Sequence, residues 1–105
     1  MAKYFLIESR SSFDSTQVTQ NYQLASDLAN AGNETTLFLV ENGVLAARAA
    51  AANGLANLKA VNVLADDFSL RERGISETEL GNGVQVASIA AVVDAMAEGQ
   101  KTIWL

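Results

Sequence analysis

The sequence contains no cysteine, no histidine and no proline. Without cysteine the chain cannot form disulfides, thiolate metal sites, thiol nucleophiles or persulfides. Without histidine it lacks the side chain that most often acts as a general base or a metal ligand near neutral pH. Neither a Ser–His–Asp nor a Cys–His catalytic site can therefore be built from this chain alone.

Long apolar runs and basic clusters are also missing. The apolar run near the amino terminus, 4–7, is too short for the hydrophobic region of a signal peptide. No run approaches the ~20 apolar residues that cross a membrane, so we predict a cytoplasmic protein without a membrane partner. Lys and Arg number 7 against 12 Asp and Glu, and this net charge of −5, with no basic cluster, argues against nucleic acid as a partner.

The apolar content is high for so short a chain. Apolar residues make up 50% of the 105 residues, and the mean hydropathy is +0.14. A chain of this length forms one domain, here 1–105, whose surface is large relative to its volume. We therefore expect another subunit to cover part of the apolar surface, and we predict an oligomer rather than a monomer.

Short apolar runs alternate with stretches of helical spacing. The runs are largely continuous, as in strands that are buried on both faces of a parallel sheet. The runs are 4–7, 36–40, 61–64 and 102–105, and the helical stretches are 15–31, 43–53, 68–73 and 88–98. This pattern predicts an α/β fold, a single three-layer domain whose mostly parallel sheet of four to five strands has helices on both faces.

Large apolar side chains within these runs are predicted to form the core. Phe38 and Trp104 each lie inside an apolar strand, so we expect both in the sheet core. Met96 lies on the apolar face of the last helix, where we expect it to fill the core.

Open α/β sheets bind ligands beyond the carboxyl ends of their strands. The loop after the first strand leads into a helix amino terminus, which can hold a small anion through backbone N–H groups. The residues of this loop are Ser9, Arg10, Ser11 and Ser12. The alternative is that the loop only caps the helix, through Ser12, Asp14 or Ser15.

Several segments, taken in order, resemble one family. Residues 23–44, QLASDLANAGNETTLFLVENGV, are followed by 62–96 and by the closing strand KTIWL. In the second segment a short helix ends in Arg73-Gly74-Ile75, and an acidic turn then leads through Gly83-Val84 to the last helix. Over nearly its whole length the chain resembles the DsrE/DsrF/DsrH and TusB/TusC/TusD proteins of sulfur relay.

The resemblance implies which residue of this chain occupies the sulfur-accepting position of the family. In family members that carry persulfide sulfur, a cysteine begins the short helix eight residues before the glycine that is Gly74 here, and Asp66 occupies that position. A carboxylate cannot form a persulfide, because that chemistry needs a nucleophilic thiolate. The resemblance also implies assembly, as a homo-oligomer (a trimer or hexamer) or as a hetero-oligomer with DsrE-like subunits, some of which lack the active cysteine.

Asp66 and Asp67 have other interpretations that do not involve sulfur. Either aspartate can cap the short helix 68–73, since its carboxylate accepts N–H bonds from the first turn. The two can also form a divalent-cation site with Glu41 or Glu8 as a third ligand. Nothing in the sequence resembles a calcium loop, so we predict no metal.

A third interpretation is an ion pair. Asp66 or Asp67 can pair with Arg71 or Arg73, or with an arginine of a neighbouring subunit. We expect the helix 67–73 to lie near a subunit boundary, where such a pair sets orientation more than affinity.

The main hypothesis is a non-catalytic DsrE-like protein without a cofactor, which serves as a structural or partner subunit in sulfur relay or as a homo-oligomer of related role. The alternative is a small-molecule or anion-binding α/β module with its site at the strand carboxyl ends. An enzyme that uses Asp66 as a general acid or base is a third hypothesis, and the least favoured, because no nucleophile or second base accompanies Asp66.

Overall fold

The computed structural model describes residues 2–51, 54–55 and 58–105. These residues form an α/β domain. The strands are β1 (Lys3–Glu8), β2 (Glu34–Leu39), β3 (Asn62–Asp66), β4 (Val84–Ala87) and β5 (Lys101–Trp104). The helices are α1 (Gln17–Asn30), α2 (Asp67–Glu72) and α3 (Ala90–Ala97), and 3₁₀ segments span Glu41–Ala47 and Glu77–Glu79.

The strands form one parallel sheet in the order β4-β3-β2-β1-β5, which confirms the predicted α/β fold. From β1 to β4 the chain steps across the sheet in one direction, so right-handed crossovers bring α1 and α2 onto the same face. The return from β4 at one edge to β5 at the other runs in the opposite direction. The same handedness therefore brings α3 onto the opposite face.

Each face of the sheet has its own hydrophobic core. The core on the α1 face includes Leu6, Leu37, Leu39, Val63, Val18 of α1 and Leu70 of α2. The core on the α3 face contains Phe5, Ile7, Phe38, Val40 and Ala95 of α3. Neighbouring residues of β1 and β2 thus enter opposite cores, as the continuous apolar runs predict. Within the described ranges, no helix combines the length and apolar character needed to cross a membrane.

The core predictions are only partly right. Phe38 is fully buried, as predicted, but Trp104 is 59% exposed and Met96 is 62% exposed, so their assignment to the core is wrong. Trp104 lies on β5, an edge strand that pairs with β1 alone. Met96 lies outside the inner side of α3, on which Ala91, Val92 and Ala95 pack against the sheet.

The helix predicted over 43–53 is also wrong. The 3₁₀ segment ends at Ala47, and Arg48 then forms an antiparallel bridge with Leu80. This long-range pairing overrides the high helix propensity of the alanine run. Residues 52 and 53 of the predicted helix lie outside the described residues.

Candidate functional site

The carboxyl end of β1 holds a buried carboxylate. Glu8 is fully buried, and its side chain accepts hydrogen bonds from the backbone N–H of Arg10 at 3.0 Å and from Nδ2 of Asn21 on α1 at 2.7 Å. The Arg10 guanidinium Nε lies 3.7 Å from the same carboxylate, and Arg10 Nη1 donates to the Ser15 hydroxyl at 3.3 Å. The charge of Arg10 is therefore paired within the chain.

Tyr22 lies beside this carboxylate in an environment that opposes ionisation. Its side chain is buried, and its hydroxyl has no hydrogen-bond partner among the residues that the structure describes. Burial, with a smaller contribution from the negative charge of Glu8, raises the pKa of Tyr22 to about 12. The phenol therefore stays neutral to a higher pH than that of an exposed tyrosine.

The loop predicted to bind an anion already holds a carboxylate of this chain. Asp14 Oδ2 accepts hydrogen bonds from the backbone N–H of Ser11 at 3.0 Å and from the Ser11 hydroxyl at 3.2 Å. These bonds, the backbone one foremost, lower the pKa of Asp14. The Ser11 hydroxyl also accepts from the backbone N–H of Phe13 at 3.2 Å. Ser9 and Ser12 make no side-chain hydrogen bond within the described part of the chain.

Asp66 caps α2, which confirms the first interpretation of this residue. Its Oδ2 accepts hydrogen bonds from the backbone N–H of Ser69 at 3.0 Å and from the Ser69 hydroxyl at 2.7 Å, and both residues are buried. The Ser69 hydroxyl also accepts from the backbone N–H of Glu41 at 2.8 Å. Glu41 has a φ of 50°, a left-handed conformation that is uncommon outside glycine. Ser69 thus joins the carboxyl ends of β2 and β3.

Arg73 extends this network towards the loop after β1. Its Nε and Nη2 donate to Oδ1 of Asn42 at 3.1 and 3.0 Å, and its Nη1 donates to the backbone carbonyl of Ser69 at 3.3 Å. Asn42 Nδ2 in turn donates to Asp14 Oδ1 at 3.4 Å. Asn42 therefore connects the segments that follow three neighbouring strands.

The ion-pair interpretation holds for Asp67 rather than for Asp66. Asp67 Oδ2 lies 3.6 Å from Nη1 of Arg71, one helical turn away, and the side chains are 69% exposed for Arg71 and 39% exposed for Asp67. The cation interpretation has no such support: among the described residues, no group of three or more acidic side chains is arranged to hold a metal ion.

Two residues of this network were not predicted from the sequence. Ser69 lies three residues after Asp66, the position whose backbone N–H an N-cap side chain reaches, so this spacing could have identified it. Asn42 lies 31 residues from Arg73, and only the parallel sheet brings the two together. Gly43 is required for close packing, because a Cβ on it would overlap the backbone carbonyl oxygen of Glu8.

A cavity of about 710 Å³ lies away from this network, at the amino ends of β3 and β4. Its lining includes Arg48, Lys59, Val63 and Val84, and none of the predicted site residues. The residues predicted to form a site thus cluster at the carboxyl edge without enclosing this cavity.

Comparison with known proteins gives a family assignment. The family model described as the DsrE/DsrF-like family matches residues 2–105. The chain belongs to the DsrE/DsrF-like family. A search of curated proteins found no match to this sequence.

Solved structures share the fold of this DsrE-like chain. The ychN protein from E. coli is 19% identical, with both chains covered over 100% of their length and a TM-score of 0.87. MTH1491 from Methanobacterium thermoautotrophicum, a protein of unknown function, is 20% identical, with 99% and 98% of the two chains covered and a TM-score of 0.84. BT1422 from Bacteroides thetaiotaomicron, a conserved protein of unknown function, is 14% identical over 97% and 94% of the chains, with a TM-score of 0.67.

Proposed function

We propose that this DsrE-like chain is a non-catalytic subunit in sulfur relay, which acts by assembling with copies of itself or with cysteine-bearing DsrE-like subunits. The observation that carries the proposal is the burial and hydrogen bonding of Asp66. The resemblance assigns the sulfur-accepting position to this residue, and here its carboxylate is buried and bound twice by Ser69. An acceptor of sulfur needs a nucleophilic thiolate, whereas Asp66 supplies a carboxylate that serves as a helix cap.

The alternative function, an anion-binding module at the strand carboxyl ends, has less support. The N–H and hydroxyl of Ser11 are bound to Asp14, and Arg10 is paired with Glu8. An incoming anion would have to displace carboxylates that are already bound within the chain. Assembly as a trimer, a hexamer or a hetero-oligomer is part of the proposal and rests on the family resemblance and the high apolar content.

A sulfur-loading experiment tests the non-catalytic part of the proposal. After incubation with polysulfide, the intact mass of the wild-type protein should be unchanged. The substitution Asp66→Cys should create a thiol that alkylating reagents and polysulfide modify, because the Ser69 donors at the start of α2 stabilise a thiolate there. Wild-type protein that gains sulfur would refute the proposal.

The matched control is Glu72→Cys, which places a thiol on the exposed last turn of the same helix. We expect the thiol at position 66 to have the lower pKa in an alkylation-rate profile against pH. If the thiol at position 66 is inert while that at 72 reacts, the assignment of Asp66 to the sulfur position fails.

A mixing experiment tests the subunit part. The purified chain is mixed with a cysteine-bearing DsrE-like protein of the same organism and examined by native mass spectrometry. Either a mixed complex or a defined homo-oligomer of this chain is expected. A monomer that persists at micromolar concentration, alone and in the mixture, would contradict the proposal.

A further inference from the structure

Two basic residues differ from the others in having no charged partner. Of the 7 Lys and Arg residues, four form ion pairs with acidic side chains of this chain: Lys3, Arg10, Arg71 and Arg73. Lys101 lies 5.7 Å from the centre of the Tyr4 ring. Arg48 and Lys59 make no ion pair with any residue that the structure describes. Both line the cavity of about 710 Å³ at the amino ends of β3 and β4.

The same cavity has no acidic residue in its described lining. The lining comes from two stretches of sequence that contain no Asp or Glu, 42–65 and 80–93. Glu79, just before the second stretch, accepts hydrogen bonds at Oε1 from the backbone N–H of Ser76 at 3.0 Å and from its hydroxyl at 3.2 Å, so its carboxylate is bound within its own turn. In a chain with a net charge of −5, this cavity is therefore a place of local positive charge.

Arg48 is held in place at the cavity. Its backbone forms the antiparallel bridge with Leu80, and its Nε donates to the backbone carbonyl of Leu45 at 2.9 Å. The side chain is half-buried, and its Nη atoms make no hydrogen bond within the described ranges. A guanidinium that is fixed at Nε and open at Nη can bind an anion through two N–H groups without first losing side-chain freedom.

The lining of the cavity changes from apolar to polar towards solvent. Its buried apolar side chains include Ala47, Val61 and Val63. Its exposed residues include Lys59, Asn62, Asn82 and Gln85. Ligand sites combine an apolar lining with a few polar groups that fix orientation, and they measure roughly 300–1,000 Å³. A molecule with a negative charge at one end and an apolar body matches this lining.

We propose that this cavity binds a small organic acid in its anionic form. The acid group meets Arg48 and Lys59, and the apolar body packs against the buried part of the lining. This site goes beyond the proposed function, because it shares no residue with the network around Asp66. It lies at the opposite end of the sheet from the loop that the sequence predicted to bind an anion.

An NMR titration of the isotope-labelled full chain with octanoate tests the proposal. The backbone amide signals of Asn62, Val63 and Val84 in the cavity should shift, with a dissociation constant below about 1 mM. The exposed apolar side chains of Val93 and Met96 provide an internal control for unspecific binding. Shifts at these two residues without shifts at the cavity would show that octanoate only coats apolar surface, and this result would overturn the proposal.

Two further molecules separate the contribution of charge from that of the apolar body. Octylammonium has a similar apolar chain and the opposite charge, so it should leave the cavity signals unchanged. Acetate has the charge and almost no apolar body, so it should bind at least about 10-fold more weakly than octanoate. If octylammonium shifts the cavity signals as strongly as octanoate does, the site is not selective for an anion and the proposal fails.

Substitution of the two basic residues tests their part in binding. Arg48→Gln should weaken octanoate binding at least about 10-fold, because it removes a charged donor that is already fixed. Lys59→Gln should weaken it only about 3-fold, because Lys59 is exposed to solvent. The matched controls are Arg71→Gln on α2 and Lys101→Gln on β5, which change the net charge equally and should bind octanoate like the wild type.

Circular dichroism and a thermal melt establish that the variants fold. If folded Arg48→Gln and Lys59→Gln proteins bind octanoate as tightly as the wild type, or if the control variants lose binding to the same extent, the proposal is overturned. Octanoate binding and the sulfur loading of Asp66→Cys are measured independently, so the failure of one is distinguishable from the failure of the other.

Discussion

The carboxyl edge of the sheet and the outer side of α3 differ in whether their side chains find partners within the chain. At the carboxyl edge, the buried polar side chains Glu8, Ser11, Asp66 and Ser69 all take part in hydrogen bonds. On the outer side of α3, the large apolar side chains of Ile89, Val93 and Met96 face solvent. The chain completes its polar edge with its own groups and leaves its apolar surface uncovered.

This difference has an energetic meaning. Leaving polar groups buried without partners is costly. In the network at the carboxyl edge, the groups are bound to one another and therefore stabilise the fold. An uncovered apolar surface has the opposite property, because it gains free energy only when another surface meets it.

The substitution Gly43→Ala should disrupt the packing at the carboxyl edge of the sheet. Of the substitutions proposed, we expect it to lower stability the most. Its Cβ would overlap the backbone carbonyl oxygen of Glu8, which cannot move without disturbing the end of β1. We expect the free energy of unfolding to fall by about 1–3 kcal/mol in denaturant titrations.

Gly81→Ala is the control for this substitution. A Cβ on Gly81 would lie 3.7 Å from the carbonyl oxygen of Ala47, an ordinary contact. Its stability should be unchanged or slightly raised, since alanine restricts the unfolded chain. Equal stability losses for the two variants would show that the close approach at Gly43 does not matter.

The substitution Tyr22→Phe removes a buried hydroxyl beside this edge. That hydroxyl has no hydrogen-bond partner within the described residues. At pH 7 we expect the variant to be at least as stable as the wild type. The pKa of Tyr22 is raised from 10.0 to about 12, so the unfolded chain loses its proton first as pH rises. The wild type should therefore lose on the order of 2 kcal/mol between pH 10 and about 12.

The control for this prediction is Tyr4→Phe, which leaves Tyr22 in place and should retain the alkaline loss of stability. Unfolding titrations at pH 9, 10, 11 and 12, chosen around the raised pKa, measure the difference. If Tyr22→Phe loses as much stability as the wild type over this interval, the alkaline loss does not arise from Tyr22.

The sequence predicted the parallel sheet well because its signals are local. Continuous apolar runs locate β1, β2, β3 and β5, and glycines follow α1 and α3. β4 carries a weaker signal, since only Val84 and Val86 alternate with polar or small residues in a four-residue strand. The failure at 43–53 has the opposite cause, because a strong local propensity was overridden by the pairing of Arg48 with Leu80.

The candidate site was predictable only in part. The capping by Asp66 follows from a local spacing, and so does the pairing of Asp67 with Arg71. The link from Asp14 through Asn42 to Arg73 depends on side chains that the sheet brings together from the segments after three strands. The exposure of Trp104 could not be predicted either, because it depends on the strand order, which makes β5 an edge.

The smallest effect is expected for Arg71→Gln. Arg71 pairs with Asp67 across one turn of α2, and solvent reaches both side chains, so removing the charge should cost only about 0.3–0.5 kcal/mol of unfolding free energy. Its effect on assembly is more informative. If the contact between copies lies away from α2, the sedimentation coefficient of Arg71→Gln should match that of the wild type at equal concentration. An oligomer that dissociates in this variant would instead place the subunit boundary at α2, with Arg71 meeting an acidic group of a neighbouring copy, and the carboxyl edge would then be an interface as well as a stabilising network.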